Sequence, residues 1–490
     1  YYFCWTFENT RMRASKTFFF ILSVLLLLGI ISLCFPKEGI DFGSGRLYFP
    51  TLEDILAERP GHSTTAAQRM KEMEESLQIK RRQDSAYYDS LAFYTHFFQH
   101  HPARIHLPDN DREFLKDLFE RFDACRKQNE IIHILHYGDS QIEGDRITGY
   151  IRQKMQEKFG GEGPGLLPAV QPIPSFSVAQ TASEHIERYI ISGNLQNKLP
   201  SRRYGALGQV GMVADESFIS VQVRNWKQTF ENVRTFRKVR LFVGRPDAHF
   251  KADLIVPGRP VARQRVKDRK APAGVLTWDL DEPAKKFTLK LHGSGEVYGM
   301  AVDGASGIAV DNIPFRGSSG TFFTAMDSTV LGAMLRELNT QLILLEFGGN
   351  MTPVLRNAKA IENYKQQMSR QIALLKRLCP GAKILLIGPA DMSTKVNGKL
   401  QTYPRLAEMT EALKEAALQQ HAAFWNMYEV MGGENSMVDW VKNTPPLAAP
   451  DYIHFSPKGA ERIAGLFCES LFVYYDYYRF IKERKEEIQQ

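Results

Sequence analysis

Residues 131–159 read IIHILHYGDSQIEGDRITGYIRQKMQEKF. An apolar run breaks at Gly138, passes through Asp139, Ser140 and Gln141, and enters an amphipathic segment. A short Ile/Leu run closed by a glycine and followed by a helix reads as a strand buried on both faces of a parallel sheet. Two further runs, QLILLEF at 341–347 and AKILLIG at 382–388, have the same texture, and helical stretches lie at 357–378 and 403–420. Strands alternating with helices predict an α/β fold, a parallel sheet with helices on both faces. Ligands in such sheets bind at the carboxyl ends of the strands, which is where Ser140 falls.

Between Pro172 and Met300 the texture changes. SFISVQV, KVRLFVG, FKADLIV, GVLTWDL, KFTLKLHG and EVYGMAV are short β-rich pieces separated by Gly, Pro, Asp and Lys turns. Several short strands at regular spacing predict a β-sandwich or jelly roll at 172–300, inserted into the α/β domain after its first helix. The α/β domain is then in two parts, 130–171 and 301–475. Trp226 and Trp278 in the insert suit either stacking platforms for sugars or a buried core.

Outward from this body, residues 37–129 read as a helical, charged stalk or linker, and 476–490 as a charged helical tail. Thr17–Phe35 carries no charge and follows Arg11, Arg13 and Lys16, so residues 1–36 are expected to be a cytoplasmic stub and a transmembrane helix. No small-residue cleavage site follows it, which favours an uncleaved anchor with the rest of the chain outside the membrane. Met12 is an alternative start, with residues 1–11 as upstream translation.

A chain of 490 residues with 43% hydrophobic content has ample material for a large core. Its net charge of +7 is dispersed among many acids, with no basic block interleaved with aromatics, so nucleic acid is not an expected partner. Five cysteines, Cys4, Cys34, Cys125, Cys379 and Cys468, are too sparse for a disulfide framework or a metal site. His96, His100, His101 and His106 match no usual ligand spacing, and P-loop, H-E-x-x-H and G-x-S-x-G motifs are absent. No metal and no cofactor is implied.

Ser140 alone is ambiguous, because Asp and Ser are favoured helix caps and a helix starts near Ile142. The other strand ends bear on it. LLEFGGNMTP puts Asn350 at the tip of the second run, where its amide can donate to a developing oxyanion. LLIGPADMS ends the third run in a Gly-Pro loop, and PDYIHFSPKG places Asp451 and His454 three residues apart, just before a C-terminal helix. A serine hydroxyl is a weak nucleophile near neutral pH. It needs a histidine to take its proton and a carboxylate to orient that histidine.

Those residues in that order resemble the SGNH/GDSL hydrolase family, serine esterases of flavodoxin-like fold. YGDSQ is similar to the family's first block, DNIPFRGSSG to the second, FGGN to the third and DYIH to the last. The resemblance implies Ser140 as nucleophile, His454 as base and Asp451 as its orienting acid. It further implies an oxyanion hole from the Ser140 backbone N–H, Gly317 and Asn350. Gly317 follows the strand-like IAVDNIPF as the family's glycine does, with Gly320, Gly304 and Gly307 also within reach. Gln141 stands where the family name has Leu, a change expected to touch no catalytic role.

The plan of an esterase with a β-sandwich inserted after its first block, resembling a carbohydrate-binding module, is similar to that of Gram-negative peptidoglycan O-acetylesterases. The resemblance implies removal of O-acetyl groups from cell-wall glycan, through an acyl-enzyme, by a periplasmic enzyme anchored in the inner membrane. Alternatives of the same chemistry are an acetylesterase acting on another polysaccharide and an O-acetyltransferase using the same triad. Oligomeric state is not legible in the sequence.

Overall fold

The computed structural model describes residues 87–193, 198–225 and 230–489, together with 22–23, 40–41, 46–47 and 71. Nearly all of them belong to the compact unit Ala66–Gln490. Its central sheet has five parallel strands, β1 (Ile131–Gly138), β2 (Gly307–Pro314), β3 (Thr340–Glu346), β4 (Lys383–Ile387) and β5 (Ala423–Trp425). Their spatial order is 2-1-3-4-5, the flavodoxin-like order, with the short strand Ile105–His106 antiparallel on β5 at the edge. Tyr137 on β1 lies between Ile313 on β2 and Leu345 on β3, so the ends of these three strands open at one level.

Alternate residues explain the unbroken apolar runs. Ile132 and Ile134 enter one core with Leu342, Leu344, Leu385 and Trp425. Leu135 and Tyr137 enter the opposite one with Ile343, Leu345, Leu386 and Phe424. A strand covered on both faces cannot alternate apolar with polar, hence its continuous run.

Helices α1 (Tyr87–His100), α2 (Lys116–Ala124), α3 (Thr148–Phe159), α4 (Ser328–Glu337), α5 (Ala358–Leu378), α6 (Leu406–Gln419) and α7 (Pro457–Gln489) surround the sheet. The first three and α7 cover one face, while α4, α5 and α6 cover the other. The stalk expected at 37–129 is thereby corrected over 87–129, because α1, the 105–106 strand and α2 belong to the body. The cause is aromatic packing, with Tyr94 against Tyr477, Phe97 against Tyr474 and Phe119 against Tyr475. Residues 37–86 lie, but for five positions, outside the described residues. The charged helical tail expected at 476–490 is the last part of the 33-residue α7, with Tyr478 buried against the body.

The expectation of an N-terminal membrane-spanning helix is also corrected. No helix among the described residues is long and apolar enough to cross a membrane. Thr17–Phe35 itself, apart from Leu22 and Ser23, lies outside the described residues.

Between α3 and β2 the chain builds two antiparallel sheets packed face to face. One runs in the order 274–284, 236–244, 295–303, 209–213, 187–190, and the other 262–265, 251–255, 286–292, 217–223, 178–182. Ser217–Val223 alternates buried with more exposed residues as a sandwich strand must. The sandwich begins before 172, since Leu166 and Leu167 pair with Ala301 and Met300. Trp278 is buried, its indole N–H donating to the Ala262 carbonyl at 2.8 Å, so it is core and not a stacking platform. Trp226 lies outside the described residues. Cys125, Cys379 and Cys468 are buried free thiols.

Sandwich and sheet are joined through buried charge. Asp303, at the end of its sandwich strand and 3.0 Å from Arg240, lies 3.6 Å from His133 on β1, and Asp311 on β2 accepts from the Leu166 backbone N–H at 2.7 Å and meets His133 at 2.7 Å. Buried carboxylates persist only when paired in this way.

Candidate active site

The order of the strands reverses between β1 and β3, and their carboxyl ends diverge to leave a crevice. Ser140 leaves β1 at that point, and Asn350 leaves β3 beside it.

The first turn after β1 settles whether Ser140 is a cap. Asp139 is the N-cap of the short helical stretch Ser140–Asp145, its carboxylate accepting from the Gln141 backbone N–H at 2.9 Å. With the cap supplied by its neighbour, the Ser140 hydroxyl is free to face elsewhere, and its Oγ lies 2.9 Å from His454 Nε2. Behind it Arg146 donates to the Ser140 carbonyl and, at 3.1 Å, to that of Glu143.

His454 comes from the turn before α7. Tyr452 adopts a left-handed conformation (φ 59°), which folds Asp451 back so that its Oδ1 accepts the Ile453 and His454 backbone N–H groups at 2.9 and 3.0 Å. Its other oxygen lies 2.7 Å from His454 Nδ1. Burial pushes the Asp451 carboxyl up, but the His454 ring and the two N–H groups outweigh it and hold the group below the usual carboxylate range. Asp451 is therefore ionised at neutral pH. Ser140, His454 and Asp451 are thus brought together from positions more than 300 residues apart.

Asn350 sits in the turn after Gly348 and Gly349, with its side-chain amide donating to Asp139 Oδ2 at 2.8 Å and to the Ser318 carbonyl at 3.2 Å. Asp139 therefore both caps the serine turn and aims the asparagine. Burial pushes its carboxyl up to about 7 and the charge of Glu346 adds to this, against the lowering by the Gln141 N–H, His454 and Asn350.

A cavity of about 190 Å³ lies between Ser140, His454 and Asn350, walled by Phe347, Pro389 and Met392. Gly317, expected among the donors, is not part of its lining, and a side chain there would project into open space. Gly320 is the tightly packed glycine, because a Cβ there would come within 2.5 Å of the Phe347 ring that walls the cavity. The two are joined by Ser318, whose carbonyl holds Asn350 and whose hydroxyl accepts from the Gly320 N–H at 3.1 Å.

Two residues of this site are not evident from the sequence alone. Gln141, expected to be neutral, clamps the histidine loop, its Nε2 donating to the Ile453 carbonyl at 2.7 Å and its Oε1 accepting from the Phe455 N–H at 3.2 Å. Asp139 is legible only as a turn residue, since its bond to Asn350 spans 211 positions. Among the described residues no group of three or more His, Cys, Asp or Glu is placed to hold a metal ion.

Residues 290–462 match the model of the GDSL-like Lipase/Acylhydrolase family. The resemblance to the SGNH/GDSL hydrolases holds. A solved peptidoglycan O-acetylesterase superposes with a TM-score of 0.57 at 21% identity, covering 75% of this chain and 96% of its own, so the two share a fold over nearly the whole of that esterase. A family two carbohydrate esterase from Cellvibrio japonicus matches over 61% of this chain and 99% of its own, at 10% identity and a TM-score of 0.24. Among curated proteins no relative matches the chain.

Proposed function

We propose that this protein is a serine carboxylic-ester hydrolase of the SGNH type that removes O-acetyl groups from glycan of the cell envelope, with peptidoglycan as its substrate. The observation that carries the reading is the unbroken line Ser140 Oγ, His454 Nε2, His454 Nδ1, Asp451 Oδ2, at 2.9 and 2.7 Å, on the wall of a cavity at the strand switch point.

With Nδ1–H held by Asp451, His454 Nε2 is the free base. It takes the Ser140 proton as Oγ attacks the acetyl carbonyl, and gives it to the departing sugar oxygen. The acetyl-enzyme is then hydrolysed by water activated at the same nitrogen. Negative charge on the carbonyl oxygen is met by the Ser140 backbone N–H and the Asn350 amide. The longer Asn350 bond, to the Ser318 carbonyl at 3.2 Å, is the one exchanged for the oxyanion. The shared fold with a peptidoglycan O-acetylesterase supports the choice of glycan.

The test is acetate release from O-acetylated peptidoglycan and from a chromogenic acetyl ester, beside Ser140→Ala and His454→Ala. Release from both, lost in both variants, is expected. Cleavage of the small ester with none from the glycan would remove the substrate, and activity surviving in Ser140→Ala would remove the mechanism.

A further inference from the structure

A second cavity, about 290 Å³, opens between residues 143–145, the sandwich strand Glu187–Ile190 and the end of β2 at Asn312–Arg316. Its wall includes Glu143, Gly144 and Asp145, three to five residues beyond Ser140 on the same turn.

The charges lining it are matched with one exception. Glu143 is held by Arg316 through two bonds of 2.8 and 2.6 Å. Asp145 is held by Arg152 through two bonds of 2.6 and 3.0 Å. Arg188 has only a neutral partner, its Nε donating to Gln209 Oε1 at 2.7 Å. Its two terminal nitrogens meet no acceptor and no carboxylate among the described residues. It is half-buried on an edge strand, and that burial holds its pKa below the usual guanidinium value.

A partly desolvated guanidinium without a counter-charge is unfavourable in the free protein and becomes favourable when an anion arrives. The planar fork it leaves open fits the two oxygens of a carboxylate. Gln171, Ser175 and Ser192 add groups suited to sugar hydroxyls, and Ile173 and Phe315 add apolar surface.

We propose that this cleft is a subsite for a carboxylate carried on the acetylated glycan, with Arg188 as its anchor. The proposal rests on the glycan-esterase reading and deepens it, since it makes the preferred substrate an acidic glycan and not a neutral one. The carboxylate is either an ether-linked acid on the sugar itself or one on a peptide attached to it.

The test is a binding measurement, separate from turnover. The full chain carrying Ser140→Ala is titrated calorimetrically with three ligands: an N-acetylated disaccharide bearing a lactyl carboxylate, its methyl ester, and the same disaccharide carrying a peptide. The titrations are repeated with Arg188→Gln and Arg188→Lys added. A hydrogen-bonded charge pair predicts that the carboxylate ligand binds about 10- to 100-fold more tightly than a neutral one. Arg188→Gln removes that preference, Arg188→Lys restores part of it, and the ligand that shows it identifies the source of the carboxylate. Equal binding of acid and ester, or a preference unchanged by Arg188→Gln, overturns the proposal. Acetate release from O-acetylated glycan by the wild type is read in parallel. Its absence with the Arg188-dependent preference intact would sink the glycan-esterase reading and leave the subsite. Its presence without that preference would do the reverse.

Discussion

The two halves of the proposed catalytic line are held in different ways. Asp139, Gln141, Ile142 and Asp145 around the nucleophile are buried, and the turn grows out of a strand covered on both faces. The histidine loop is on the surface, with the His454 and Asp451 side chains 32% and 45% exposed. A handful of hydrogen bonds holds it, including the Ser393 N–H to the Tyr452 carbonyl at 3.0 Å, the Ala449 N–H to the His454 carbonyl at 2.8 Å, and the Gln141 clamp. The serine is therefore positioned by the core and the base by local polar contacts. Loss of apolar packing on the first side is expected to appear as lost stability together with activity, and damage on the second as lost activity alone.

The sharpest way to break that contrast is on the exposed side. His454→Ala removes the base and lowers kcat by about 10⁴-fold or more, and Asp451→Asn lowers it about 10⁴-fold by favouring the wrong tautomer. Tm is expected to move by no more than a surface substitution moves it, about 0.5 kcal/mol in stability. A large fall in Tm for either variant would show that the loop is structural as well. Asn350→Ala removes one oxyanion donor and is expected to cost about 100- to 1,000-fold in kcat, with KM little changed.

Gln141→Met keeps the volume but loses both bonds to the histidine loop. Misplacing the base by a fraction of an ångström is expected to cost about 10- to 100-fold in kcat. Unchanged kcat would mean that the loop holds itself.

Asp139 joins the two halves and gives a pH signature. Its folded-state pKa is raised, to about 7, above the ordinary 3.8. Between those values the folded protein keeps a proton that the unfolded chain has released, so stability contributed by this group falls as pH rises from about 4 to about 7. Asp139→Asn carries no charge to desolvate. It is expected to flatten the pH dependence of Tm over that window and to raise Tm near neutral pH, while lowering activity because Asn350 loses an acceptor. A Tm that rises with pH through that window in the wild type would contradict the assignment.

Much of this architecture is legible in local pattern. IIHILHY, QLILLEF and AKILLIG declare central strands because burial on both faces forces continuous apolar runs, and α5 and α6 stand close to the helical stretches at 357–378 and 403–420. The rest depends on partners distant in sequence. Ala423–Trp425 is three residues long, too short to show a period, and is a strand only because β4 pairs with it. Residues 87–129 look like a charged stalk until α7 offers its tyrosines, nearly 400 positions away, as packing partners. At the site, the spacing of Asp451 and His454 is local and readable. The roles of Asp139 and Gln141 exist only after the histidine loop and the Asn350 turn arrive from elsewhere in the chain. Position after a strand, the cue for the oxyanion glycine, is satisfied by both Gly317 and Gly320, and that neither lines the cavity is visible only in three dimensions.

The central claim is that Ser140 is an activated nucleophile and not a turn residue. It is tested most directly by treating the protein with a fluorophosphonate and locating the adduct by mass spectrometry, beside His454→Ala. The account predicts one adduct per chain, on Ser140, formed at least about 10³-fold more slowly without the histidine. An unmodified Ser140, or labelling that is indifferent to His454, would contradict it.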